Sequence, residues 1–198
     1  MPTTRPGSEQ VRSELLSAAI ECLRSSGYSQ LSTRAVAERA GMPMSQIHYH
    51  FGGKDGLLLE VLDHQNRQRL RRQTDMYGSD MPLWKRWDQA CDFLEDDLAS
   101  GYVRVLHELI AAGWSDPGIA DQVQHQLQGW VELLTTVAQE AVATIGPIGI
   151  DPRQTALLVG CAFLGAEQLE LLGMAREGEV AGALRAIGEL LRHAEEDG

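Results

Sequence analysis

Apolar residues recur along this chain at helical spacing almost from end to end. Nowhere do apolar and polar positions alternate with the period of two that marks a half-buried strand. The first stripe, Val11, Leu15, Ala19, Cys22 and Leu23, predicts a helix over 8–26 with Ser8 as its N-cap. Two short helices follow, over 33–40 and 43–51. Ser32 or Thr33 caps the first, and Gly41 supplies the left-handed turn that ends it. Pro43 suits the first turn of the second. Gly52 and Gly53 break the chain before a longer helix over 54–75, whose inner face is Leu58, Val61 and Leu62. Residues 77–80 read as a loop. Beyond them the pattern predicts five more helices, over 82–100, 102–112, 117–145, 152–172 and 177–194. The fold class is therefore all-α with about nine helices. A three-helix unit with a helix-turn-helix occupies 1–53, a linking helix 54–76, and a larger helical domain 77–198.

Composition narrows the class. The chain has 198 residues, 43% of them apolar and 23% charged, which is enough to bury a core. The longest apolar run, Ala156 to Ala166, has eleven residues, whereas a spanning helix needs roughly 20. Residues 1–10 lack the apolar stretch of a secretion signal. A cytoplasmic protein with no membrane partner is expected. Cys22, Cys91 and Cys161 are odd in number and far apart, so they read as reduced thiols acting as small core hydrophobes.

Charge is distributed unevenly. The net charge is −11, yet residues 1–75 hold ten Lys/Arg against eight Asp/Glu, while 76–198 hold seven against twenty. A locally basic N-terminal part joined to an acidic body suits a protein that meets phosphates at one end and keeps the rest away.

The informative segment is 32–62. Two short helices meet at the Gly41 turn, with Val36 and Ala37 on one facing Ile47 on the other, and small Ala37 permits close approach. That is helix-turn-helix architecture. The second helix exposes Ser45, Gln46, Tyr49 and His50, groups able to reach base edges and phosphates. The segment resembles the TetR/AcrR family of regulators over about residues 8–62. The resemblance lies in the Thr-x-x-x-Val-Ala-x-x-Ala-Gly run from Thr33 to Gly41 and in the His50-Phe51 end of the second helix. It continues in the entry Lys54-Asp55-Gly56-Leu57-Leu58 to the next. Pro43, Ser45, His48 and Gly52-Gly53 depart from the usual residues of that family.

The resemblance implies double-stranded operator DNA as partner. It makes Met44, Ser45, Gln46 and Tyr49 the major-groove readers, with Thr33, His48, His50 and Lys54 on phosphates and Arg5 as an arm on the backbone or in the minor groove. Other readings stay open at this level. His48 can fill the joint between helices, His50 can cap a helix C-terminus, and Tyr49 can pack on a neighbour. Arg67, Arg69, Arg71 and Arg72 read more readily as a solvated or acid-paired face than as DNA contacts. His48 and His50, two apart, diverge on a helix and make no metal site.

In the acidic body, Trp84, Trp87, Tyr102, Trp114, Trp130 and Phe163 are candidates to line a cavity, with Glu167 as a polar group inside it. The competing reading is a plain aromatic core. The effector expected there is an apolar or amphipathic small molecule. The helix 152–172 is apolar nearly all round, so two of its sides need covering. Ala156, Gly160 and Gly165 allow close packing there, and Leu184, Ile187 and Leu191 follow on the last helix. The resemblance implies that these two helices form the homodimer interface. It also implies a ligand-responsive repressor on a palindromic operator. A DNA-binding activator, a ligand-independent regulator, and a helical ligand-binding protein or enzyme are the alternatives. No catalytic set, metal spacing or cofactor loop is apparent, so no enzyme and no cofactor is expected.

Overall fold

A computed structural model describes residues 7–26, 31–146 and 149–197. Among these, every regular element is an α-helix: α1 (Ser8–Ser26), α2 (Thr33–Ala40), α3 (Ser45–Phe51), α4 (Lys54–Tyr77), α5 (Leu83–Ala99), α6 (Tyr102–Gly113), α7 (Pro117–Ile145), α8 (Pro152–Leu172) and α9 (Glu179–Asp197). Arg5 lies outside the described residues.

The ends of these helices follow from local chemistry. Ser32 caps α2 by accepting from the Ala35 N–H, and Gly41 ends it at φ 64°, where a side chain would be strained. Asp151 caps α8 through the N–H groups of Arg153 and Gln154, with Pro152 in its first turn. Helix α4 runs to Tyr77, beyond the expected 75, because Met76 and Tyr77 are both buried. Burial of those two side chains decides an end that local signals left open.

The chain forms two compact units that are not contiguous in sequence. Unit 1 holds the described residues up to Gln65 together with Ser100–Val123. Unit 2 holds Asn66–Ala99 and the described residues from Gln124 onward. The expected chain-order boundaries at 53, 76 and 77 do not coincide with these units, because α6 returns the chain to unit 1 and both α4 and α7 run through each.

Unit 1 packs α1, α2 and α3 against one another. Leu15, Val36, Ile47, Val61 and Leu62 are fully buried there, as are Val103 and Val105 from α6. Gly56 in α4 is a spacing requirement. A Cβ at that position would stand 1.8 Å from the Phe51 carbonyl oxygen, so only glycine lets α4 start so close behind α3. Arg12 fastens the same corner, lying 5.6 Å over the Phe51 ring and 2.7 Å from the Glu60 carboxylate.

Unit 2 has its own core of Tyr77, Trp87, Cys91, Leu94, Leu134, Ala156, Phe163 and Leu184. Helices α5 and α9 pack closely. Gly188 permits this, since a Cβ there would meet Asp88 Oδ1 at 2.8 Å and Trp87 at 3.1 Å. Both oxygens of Glu195 on α9 accept from the first free N–H groups of α5, at Leu83 (2.8 Å) and Trp84 (3.0 Å). An anion is favoured at that end of a helix. Arg185 bridges α9 to Asp92 and Glu95 of α5.

Candidate nucleic-acid interface and apolar cavity

In unit 1 the buried side of α3 is Ile47 alone. Ser45, His48 and Tyr49 are exposed, Tyr49 at 79%, and Gln46 and His50 are half-buried. Met44 is exposed just before the helix. Of the four expected base readers, Met44, Ser45 and Tyr49 are exposed and Gln46 is half-buried. The Thr33 hydroxyl donates to Met44 Sδ at 3.6 Å, which joins the start of α2 to the start of α3. His48 is in solvent rather than in the joint between helices. His50 stands edge-on to Tyr49 (4.9 Å between ring centroids) and tilted against Phe51 (6.2 Å), so it stiffens the end of α3. Lys54 is exposed at the first residue of α4.

The arginines expected on a solvated or acid-paired face divide. Arg69 and Arg72 reach Asp97 at 2.8 and 3.0 Å, and Arg72 also lies 3.8 Å from the Phe93 ring centre. Burial pushes the Asp97 carboxyl above its ordinary range, against the pull of the two guanidinium groups. Arg67 and Arg71 are exposed.

Unit 2 holds an apolar cavity of about 90 Å³ between α4, α5, α7, α8 and α9. Trp87, Leu134, Ala138 and Ala156 are its buried walls, and Val137, Thr155, Val159 and Leu191 form a half-buried rim. Tyr77 also lines it. No charged residue does. Trp87 spends its indole N–H on the Leu184 carbonyl, at 2.7 Å. Thr155 donates its hydroxyl to the Asp151 carbonyl.

Only part of the expected aromatic set converges there. Trp87 lines the cavity, and Phe163 stands behind it, edge-on to Trp87 (5.6 Å) and Trp130 (6.4 Å). Trp84 lies on the outer side of α5, beneath the ammonium of Lys85. Tyr102 is buried in unit 1 and Trp114 is 80% exposed there, so neither lines the cavity. Glu167 is buried on α8 with a polar partner and also lies outside the lining. Sequence reasoning missed Tyr77, which it placed in a loop. The continuing helical spacing through Met76 and Tyr77 was the available signal.

The residues expected at a dimer interface occupy different environments within one chain. Ala156 and Leu184 are buried in the core of unit 2, Gly160 packs under Trp130, and Leu191 lines the cavity. Gly165 has open space around it, and Ile187 is exposed. Exposed apolar side chains on these two helices are Leu157, Leu158, Leu169 and Leu172 of α8 and Ile187 and Leu190 of α9. Cys161 is exposed on α8, unlike buried Cys22 and Cys91, so it is not a core residue. Burial raises the Cys91 thiol to about 11, which keeps it protonated. By length and composition α8 is apolar enough to cross a membrane, yet little of it is buried inside unit 2. Its apolar length reflects two faces, one toward the core and one left bare.

A helix-turn-helix with an open polar face is the arrangement that DNA-binding regulators present to a groove. Residues 15–61 match the sequence profile of the bacterial regulatory proteins of the tetR family. No curated protein matches the chain by sequence. Solved structures do match its fold. A TetR transcription regulator from Haloarcula marismortui is 18% identical, covers 94% of this chain and 98% of its own, and has a TM-score of 0.73. The fatty acid degradation regulator FadR from Bacillus halodurans is 12% identical, with 95% and 96% covered and a TM-score of 0.72. FadR from Bacillus subtilis, solved with stearoyl-CoA, is 14% identical, with 90% and 96% covered and a TM-score of 0.67. Residues 15–61 thus carry the N-terminal domain of the tetR family, and the chain has the fold of solved TetR regulators.

Proposed function

We propose that this regulator is a ligand-responsive repressor, which binds a palindromic operator in the cytoplasm as a homodimer and leaves it when a small molecule fills the cavity of unit 2. The observation that carries the reading is the exposed side of α3, where Ser45 and Tyr49 stand free of the core that holds Ile47. A seven-residue helix touches few base pairs, so useful specificity requires a second copy and a two-fold site. The bare leucines of α8 and α9 are the surface offered to that copy. The stearoyl-CoA held by a structural neighbour supports the effector role of the second unit.

In this mechanism Met44, Ser45, Gln46 and Tyr49 read bases. Thr33, His48, His50 and Lys54 hold phosphates. Ligand and operator favour different arrangements, and the ligand weakens DNA binding only by its preference for the non-binding one. Helix α4, continuous through both units, is the proposed lever.

The test selects bound fragments from a genomic library and measures affinity, stoichiometry and effect on a reporter. The expected result is a two-fold site bound by two chains, with reporter expression rising when the protein is removed. Binding without sequence preference, or by a single chain, would contradict the proposal.

A further inference from the structure

Among the described residues Met76 is buried, Met42 and Met81 are half-buried, and two methionines are exposed, Met44 at 47% and Met174 at 70%. Met174 lies between α8 and α9 in unit 2. Met44 lies directly before α3 in unit 1, beside Ser45. Its backbone is fixed there, because its carbonyl accepts the Ile47 N–H at 3.1 Å. Its thioether sulfur accepts the Thr33 hydroxyl at 3.6 Å. One sulfur therefore joins two proposed DNA contacts, the apolar side chain before α3 and the hydroxyl at the first residue of α2.

A thioether is apolar, flexible and a weak acceptor. Hydrogen peroxide changes each of these properties in one step. A sulfur lone pair attacks one peroxide oxygen, the O–O bond breaks and an S–O bond forms. The proton on the transferred oxygen passes to the departing hydroxide, which leaves as water. Sulfur is oxidised by two electrons and peroxide is reduced by the same two. The product is a sulfoxide, polar and reducible by dedicated reductases. At Met44 the new oxygen competes for the Thr33 hydroxyl, which the proposed mechanism places on a phosphate. It also brings a hydrated, partly negative group to a surface meant to lie in a groove between phosphates. Desolvating such a group without a partner is costly.

From this we infer that Met44 is an oxidation site: peroxide converts its exposed thioether, bonded to Thr33, into a sulfoxide that weakens operator binding, and reduction of the sulfoxide restores it. The inference rests on the base-reading role proposed for Met44 and adds a chemical regulation of that site. It separates Met44 from Met174, which is more exposed but stands in the other unit, away from α3.

The experiment treats the full chain with hydrogen peroxide, then with dithiothreitol, which reverses disulfides and sulfenic acid at the exposed Cys161 and leaves sulfoxides in place. Peptide mass spectrometry maps the sulfoxides. Anisotropy of the selected two-fold duplex gives, for each variant, the ratio of affinity after treatment to affinity before it. Met44 and Met174 are expected to oxidise ahead of Met42, Met76 and Met81. Wild-type affinity should fall by about tenfold to a hundredfold, and methionine sulfoxide reductases A and B together should restore it. Met174→Leu should fall as wild type does. Met44→Leu, whatever affinity it starts from, should not change on treatment; if it binds too weakly to measure, repair of the wild type by the reductases decides. The inference is overturned if Met44 stays reduced while Met42 or Met81 oxidises, if Met44 oxidises fully and affinity holds, or if Met44→Leu falls as far as wild type. Untreated wild type that prefers no duplex would remove the base-reading role and this inference with it. A preference that survives oxidation of Met44 removes this inference alone.

Discussion

The exposed face of α3 in unit 1 and the cavity of unit 2 are opposite solutions to displaying chemistry on helices. On α3 one buried isoleucine fixes a helix whose Ser45, His48 and Tyr49 side chains stand in water with their hydrogen-bonding groups free of the core. In unit 2 four helices and the end of α4 turn hydrocarbon inward around a small cavity that no charged residue lines. The first arrangement suits a partner that is polar, charged and large. The second suits one that is small and hydrophobic, because only such a molecule gains from leaving water. The first site offers chemistry by what is exposed, and the second by the space left within its core.

Substitutions can break this contrast, beginning with the largest effect. Phe163→Ala should destabilise the protein by about 3–5 kcal/mol, since it removes the ring against which Trp87 and Trp130 stand. Denaturant titration measures it. Ile47→Ala should cost about 2–5 kcal/mol and also abolish specific DNA binding, because it removes the only buried anchor of α3. A variant that kept full operator affinity would show that α3 is held by something else. Gly56→Ala should lower the melting temperature by an amount equivalent to about 1–3 kcal/mol despite the better helix propensity of alanine, since its Cβ collides with the Phe51 carbonyl. Gln46→Ala should cost about 1–3 kcal/mol on the cognate site and relax preference at one base pair. Lys54→Ala should flatten the salt dependence of all DNA binding by about one unit of slope while leaving sequence preference alone.

The two regions were not equally legible in the sequence. The helix-turn-helix is built by neighbours: the Ser32 cap, the Gly41 turn and the spacing of Val36, Ala37 and Ile47 all act within about 16 residues. Such local rules show in a linear pattern. The cavity is built from residues between Tyr77 and Leu191, brought together by packing that no local rule records. Aromatic content therefore pointed to the right body of the chain but mixed Trp87 with Tyr102 and Trp114, which belong to unit 1. The same limit applies to α8. Periodicity showed that α8 is apolar on two sides. It did not show that Ala156 and Gly160 face the core while Leu157 and Leu158 face out.

The direct test of the central claim is fluorescence anisotropy of two duplexes, one carrying the selected two-fold site and one with that site scrambled, across a range of salt. If α3 reads base pairs in duplicate, the selected duplex should bind at least about a thousandfold more tightly than the scrambled one. Tyr49→Ala together with Gln46→Ala should erase most of that difference. Equal affinity for the two duplexes at every salt concentration would contradict it.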